Sequence, residues 1–197
     1  MRIRLTLTTA VLLMAGAAGC TRLGDSPTAP SEGGVQAVSY TAVGASDGIG
    51  YGGTQPCIPF TECPNGTGYV QRLARRLGER GAVTHLNLSI PGAVLSPTIE
   101  DLARQIGRTV PGNFLDREAP FVSTGATLVT IFAGGNDANV LAHAARAGVG
   151  GGDVRGFLDQ QIRQWGDDYG ALVRRIRERA PNARIVALNL PNLAGAP

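Results

Sequence analysis

Three glycine-flanked turns carry the residues of this chain best suited to chemistry. Gly44-Ala45-Ser46-Asp47-Gly48 sets a small hydroxyl on a tight turn, where the Ser46 oxygen can face a cleft and act as a nucleophile once a base removes its proton. Asn87-Leu88-Ser89-Ile90-Pro91-Gly92 ends on Gly92, whose backbone N–H can approach a ligand with no side chain in the way. Gly134-Gly135-Asn136-Asp137 presents the Asn136 amide, a neutral donor able to hold developing negative charge. A serine with two or three N–H donors is the set that acyl transfer needs, because attack on a carbonyl leaves O⁻ where the donors converge. Taken singly, each has a plainer reading: Ser46 as an ordinary turn serine, Asn136 as the cap of a following helix, and Asp137 as a helix-start or structural residue rather than a catalytic acid.

These groups act together only if the fold gathers three turns that are far apart in sequence. Short β-rich runs at 38–44, 83–90, 127–133 and 184–190 alternate with helical patterns, the mark of βαβ units around a parallel sheet. Between them, Val70, Leu73, Ala74 and Leu77 outline one helix. Ile99, Leu102, Ala103 and Ile106 outline a second, with Ser96 as its cap and Pro97 in its first turn. A third is expected over 137–146. The longest carries Leu158, Ile162, Trp165, Tyr169, Leu172, Val173 and Ile176 at helical spacing, a stripe read as core. In open parallel sheets ligands bind beyond the carboxyl ends of the strands, and each of the three turns directly follows a strand.

The three segments, in this order and spacing over about 150 residues, resemble the first three sequence blocks of the SGNH hydrolases, also called the GDSL lipase/esterase family. The family's Gly-Asp-Ser stands here as Gly44-Ala45-Ser46, its second-block glycine as Gly92, and its Gly-x-Asn-Asp as Gly134 to Asp137. The resemblance implies a flavodoxin-like, three-layer α/β/α fold with a parallel sheet, and carboxylic ester hydrolysis through an acyl-Ser46 intermediate. Ser46 would be the nucleophile, and its own N–H, the Gly92 N–H and the Asn136 amide would form the oxyanion hole. No cofactor or metal is implied, and the partner is a small-molecule ester. The chain departs from the pattern at Ala45, where the family usually has Asp, and at Asp47, where an apolar residue or Thr is common.

A serine needs a base, which the family takes from a histidine in a late Asp-x-x-His segment. This sequence contains no Asp-x-x-His, and only two histidines. His85 lies inside the second expected strand and is read as buried and structural. His143 lies on the helix after Asn136 and is a weaker candidate as a substitute base. The chain stops at Pro191-Asn192-Leu193-Ala194-Gly195-Ala196-Pro197, directly after the fourth strand, where family members usually continue with a fifth strand and a final helix. The expectation is therefore an N-terminal fragment lacking on the order of 50 to 100 residues, nearly inactive by itself.

Three literal motif matches are decoys. Gly24-Asp25-Ser26 lies in a segment with no strand before it and no rigid scaffold to hold a nucleophile. Gly44-x-Ser46-x-Gly48 fits a nucleophile elbow, and Gly48-Ile49-Gly50-Tyr51-Gly52-Gly53 fits a dinucleotide fingerprint. Both require a helix at once, whereas 50–64 is broken by glycines and by prolines including Pro56 and Pro59. Cys57 and Cys63 sit six apart in that stretch and are expected to pair as a disulfide in an exported protein.

Export is written into the N-terminus. Arg2 and Arg4 precede an apolar stretch from Leu5 to Ala18, which runs into Gly19-Cys20. Such a stretch is too short to span a bilayer of roughly 30 Å as a helix. It is read as a signal peptide over 1–19, with Cys20 lipidated in the manner of a bacterial lipoprotein and 20–38 as a Pro/Gly/Ser-rich tether. That places the domain at 39–197, anchored by its lipid to a membrane in the periplasm or at the cell surface. The net charge of +3 belongs mainly to the signal: without Arg2 and Arg4, 16 arginines face 15 acids, leaving +1. The basic run Arg174, Arg175, Arg177 and Arg179 lacks accompanying aromatics and reads as a solvated helix face, so no nucleic-acid partner is expected. There is no lysine anywhere in the chain, which excludes a P-loop and Schiff-base chemistry. Two rivals from other classes are a non-catalytic, surface-anchored ester- or glycan-binding module and a dinucleotide oxidoreductase.

Overall fold

A computed structural model describes residues 37–58 and 63–190. The expected signal peptide, Cys20, almost all of the tether, the Gly24-Asp25-Ser26 decoy and 191–197 lie outside the described residues. Four strands, β1 (Val38–Gly44), β2 (Val83–Asn87), β3 (Leu128–Phe132) and β4 (Arg184–Leu188), form one parallel sheet in the order β2-β1-β3-β4. Five α-helices accompany them: α1 (Tyr69–Gly78), α2 (Pro97–Gln105), α3 (Phe114–Arg117), α4 (Gly135–Arg146) and α5 (Val154–Arg179).

The period-two alternation of the strands assigns their two faces to different helices. Tyr40 and Ala42 of β1 pack with Val70 and Ala74 of α1 on one face. There the Thr130 hydroxyl of β3 meets the Tyr40 hydroxyl at 2.8 Å and the Tyr69 hydroxyl at 3.4 Å. Val43, Val129 and Ile131 point the other way, against Leu172 and Ile176 of α5. The result is the expected α/β/α layering. A second apolar cluster holds α2 to α4 through Val94, Ile99, Leu102, Val140 and Ala144.

Several expectations need correction. β2 ends at Asn87 rather than 90, and β3 and β4 are also shorter than the apolar runs that marked them; past Asn87 the chain keeps to β1 only through Leu88 N–H to Ala42 O and Ile90 N–H to Gly44 O, at 2.9 and 3.1 Å. His85 is exposed, since β2 is an edge strand whose outer side no element covers among the described residues. Ser96 occupies the N-cap position of α2 but makes no capping bond; its hydroxyl donates instead to Asp168 of α5. The apolar stripe of α5 is core only at Leu172 and Ile176, whereas Ile162 is 58% exposed and Trp165 and Tyr169 are half-buried. Trp165 and Tyr169 pack against the edge of the core and, with Ile162, border cavities rather than being enclosed.

The basic face of α5 is exposed, as read, yet three of its arginines tie down loops. Arg175 donates to Leu115 O at 2.8 Å, Arg177 to Pro181 O and Ala183 O at 2.8 and 2.7 Å, and Arg179 to Val122 O at 3.1 Å. Cys57 and Cys63 are joined by a disulfide in the connection from β1 to α1. Among the described residues no helix is long and apolar enough to cross a membrane.

Candidate active site

Strand register places the three turns at one end of the sheet. Gly44 pairs with Phe132, so β1 and β3 end level with each other, while β2 ends two residues earlier, where Asn87 pairs with Ala42; the chain after it stays beside β1 through Ile90 N–H to Gly44 O at 3.1 Å. A cavity of about 110 Å³ opens there, lined by Ala45, Ser46 and Asp47 from the first turn, Ala93 from the second, and Gly134, Gly135, Asn136 and Asp137 from the third. Ser46 and Asn136 therefore share a cavity. Gly92 does not line it, although its neighbour Ala93 does.

Each turn is held by named contacts. Behind Ser46, the Asn87 side-chain amide donates to Gly48 O at 2.8 Å, and Asn87 Oδ1 accepts from Ser89 N–H at 3.2 Å. Gly48 must be glycine: a Cβ there would meet Ser89 Oγ at 1.9 Å. Gly92 sits at φ +84°, which L side chains rarely adopt. Neither the Ser46 nor the Gly92 N–H has a hydrogen-bond acceptor among the described residues. Ser46 Oγ likewise makes no hydrogen bond, and its residue is half-buried at the cavity wall.

Asn136 is not a helix cap. Gly134 holds the N-cap position of α4, and the Asn136 amide donates to Ala93 O at 2.9 Å. That bond orients the side chain and leaves its second N–H for the cavity. The first turn of α4 faces the same space, so its unpaired N–H groups and dipole favour negative charge there. Asp137 is structural, as its plainer reading held: Oδ1 accepts from Leu95 N–H at 2.8 Å, and the residue is 2% exposed. Burial pushes its pKa up against the N–H groups that favour the carboxylate, the Leu95 N–H foremost. Asp137→Ala leaves the buried Leu95 N–H without an acceptor and is expected to cost about 1–3 kcal/mol in a denaturant titration. An unchanged midpoint would refute this role.

Two acids, one in the Ser46 turn and one beneath it, complete the electrostatics. Burial raises the Asp47 pKa, opposed by the backbone N–H groups of Asp47, Ala45 and Gly48. Glu118 is fully buried, accepts from Gly44 N–H at 2.8 Å, and has its pKa pushed up to about 9, by burial first and then by the Asp47 charge. Sequence reasoning missed Glu118 and the supporting role of Asn87. Glu118 follows Asp116 and Arg117 and so resembles a solvated polar run; Asn87, at the last residue of a strand, offered a fainter cue.

Neither histidine reaches the cavity. His85 is exposed on β2, and His143 is exposed in the last turn of α4, two turns from Asn136. A model of the GDSL-like lipase/acylhydrolase family matches residues 23–197, nearly the whole chain and all three turns. The chain belongs to this family. Among solved structures, the GDSL-like chain is similar to the lipase Lip_vut3 from a goat rumen metagenome (22% identity, TM-score 0.49) and to an extracellular lipase from Streptomyces rimosus (24% identity, TM-score 0.45). The alignments cover 79% and 78% of this chain but only 65% and 60% of those two. No curated protein matches it.

Proposed function

We propose that this GDSL-like chain carries the nucleophile and oxyanion hole of a serine ester hydrolase. Ser46 Oγ attacks the carbonyl carbon of a carboxylic ester, the alcohol leaves, and water then hydrolyses the acyl-serine. The developing O⁻ is held by the Ser46 N–H, the Gly92 N–H and the Asn136 amide, with the α4 N-terminus behind them. The observation that carries this reading is the shared cavity: a serine without a side-chain hydrogen-bond partner among the described residues and an oriented amide face one space at the carboxyl ends of adjacent strands. The family pattern takes the Ser46 proton with a histidine, and none of the described cavity residues is one.

A fluorophosphonate probe on the full-length protein tests the reading. The expected result is one adduct, mapped by mass spectrometry to the peptide containing Ser46; a folded protein that binds esters but takes no label is instead the binding module. We also propose an exported lipoprotein anchored through Cys20, supported by the Arg2/Arg4-led apolar stretch that ends in Gly19-Cys20. Cys20→Ser is expected to move the protein from the membrane fraction to the soluble one. Unchanged fractionation would refute the anchor.

A further inference from the structure

The buried carboxyl of Glu118 touches both turns that the ester-hydrolase reading uses. Its Oε2 accepts from Gly44 N–H, two residues before Ser46, at 2.8 Å. Ile90 N–H, two residues before Gly92, is bonded to Gly44 O at 3.1 Å and also stabilises the Glu118 carboxylate. Glu118 thus holds the end of β1, which carries the Ser46 turn, and through the Gly44–Ile90 bond it supports the loop after β2, which carries the Gly92 N–H. Glu118 reaches this position from the junction of α3 and the 3₁₀ turn Ala119–Phe121, where Ala119 and Val122 pack into the core around it.

The surroundings of Glu118 favour its neutral form. The residue is 0% exposed, and its second oxygen, Oε1, has no hydrogen-bond partner among the described residues. A bare, ionised oxygen in such a place is far costlier than a neutral acid. The groups facing it do not supply a cation. Asp47, from the turn after β1, and Tyr69, from the start of α1, both couple to it. The nearest arginines of α5, Arg175 and Arg179, are exposed and bound to Leu115 O and Val122 O, and no arginine pairs with Glu118 among the described residues.

We propose that Glu118 is a positioning residue for the Ser46 site: as a neutral acid it holds the nucleophile turn and the Gly92 loop in register, and as a carboxylate it opposes the oxyanion. This rests on the ester-hydrolase reading. Its consequence is a built-in alkaline limit. Loss of the Glu118 proton places a negative charge beneath the turn whose N–H groups stabilise O⁻, in surroundings too dry to screen it.

The test compares kcat/KM for a soluble ester against pH in the full-length protein and in Glu118→Gln and Glu118→Ala. Glutamine mimics the neutral acid. Its variant is expected to hold the neutral-pH rate within about threefold, whereas alanine, which frees both turns to shift, lowers it by up to about 10²-fold. In the parent protein the rate falls as pH rises through about 9, and in Glu118→Gln that fall disappears. A folded Glu118→Gln as impaired as Glu118→Ala at neutral pH, or one that keeps the alkaline fall, overturns the proposal.

A second readout does not need activity. The folded-state pKa of Glu118 lies above the ordinary 4.5, so the stability linked to its proton is whole below that value and is lost as pH climbs to about 9. The melting temperature of the parent should therefore fall relative to Glu118→Gln across that window. A constant difference overturns the proposal even if Ser46 is labelled. A protein that no fluorophosphonate labels, but whose melting difference still grows, overturns the ester-hydrolase reading and leaves the clamp in place.

Discussion

In the full-length protein, Ser46→Ala is expected to lower kcat/KM for ester hydrolysis by on the order of 10⁴-fold or more, with the melting temperature unchanged. The two halves of this result have separate causes. Ser46 Oγ makes no hydrogen bond among the described residues and stands at the wall of a cavity, so removing it orphans no partner and empties no packed volume. Its loss removes the atom that would form the acyl intermediate, leaving only the donors to act. Ser89 is the informative control, because it lies directly under Gly48 in the same cluster of turns. Ser89 is fully buried with an unpartnered hydroxyl, so Ser89→Ala should keep both activity and fold. Steady-state kinetics on the two variants decide the matter; an active Ser46→Ala enzyme sinks the mechanism.

Asn136→Ala is expected to cost about 10²–10³ in kcat with KM little changed, the usual signature of a donor whose bond strengthens in the transition state. The side chain also holds Ala93 O at 2.9 Å, so the same change should remove about 1 kcal/mol of stability. Asn136→Asp keeps the size but replaces the donor with acceptors: its carboxylate meets Ala93 O oxygen to oxygen, a loss only partly offset by the dipole of the first turn of α4. Its charge also opposes an oxyanion, so the aspartate variant should be at least as slow as the alanine one and should melt below the parent protein. If it were as active as the parent protein, the amide would have no part in stabilising O⁻.

How much of this was legible in the sequence varied with the range of the interactions involved. The parallel α/β architecture could be read because strand and helix periods are local, and β1 lies where its alternation put it, at Val38–Gly44. Helices α1 and α2 follow their apolar spacing to within a residue or two. The four-residue α3 is barely one turn long, too short for a period to repeat, and only its Asn113 cap, which accepts from Asp116 N–H at 2.9 Å, could have marked it. The long stripe of α5 shows the limit of periodicity. It identified one helix face correctly, but whether Ile162 is covered depends on how far the neighbouring elements extend, and it is 58% exposed. His85 failed for the same reason: a strand residue is buried or exposed according to its neighbours, and β2 is an edge of the described sheet.

The sequence by itself determined which residue types stand after which strands: Ser46, Gly92 and Asn136 on glycine-flanked turns, with two cysteines placed to close a loop and no late Asp-x-x-His. Turn chemistry and element type depend on neighbouring residues, so they are written in the local order of amino acids. Only the tertiary structure decided that Ser46 and Asn136 line one cavity with Ala93 while Gly92 does not, and that Asn136 orients on Ala93 rather than capping its helix. It alone revealed Glu118, 74 residues from the Gly44 N–H it accepts. The protonation of a buried acid is set by the water it loses and the groups it meets, and both come from parts of the chain that are distant in sequence.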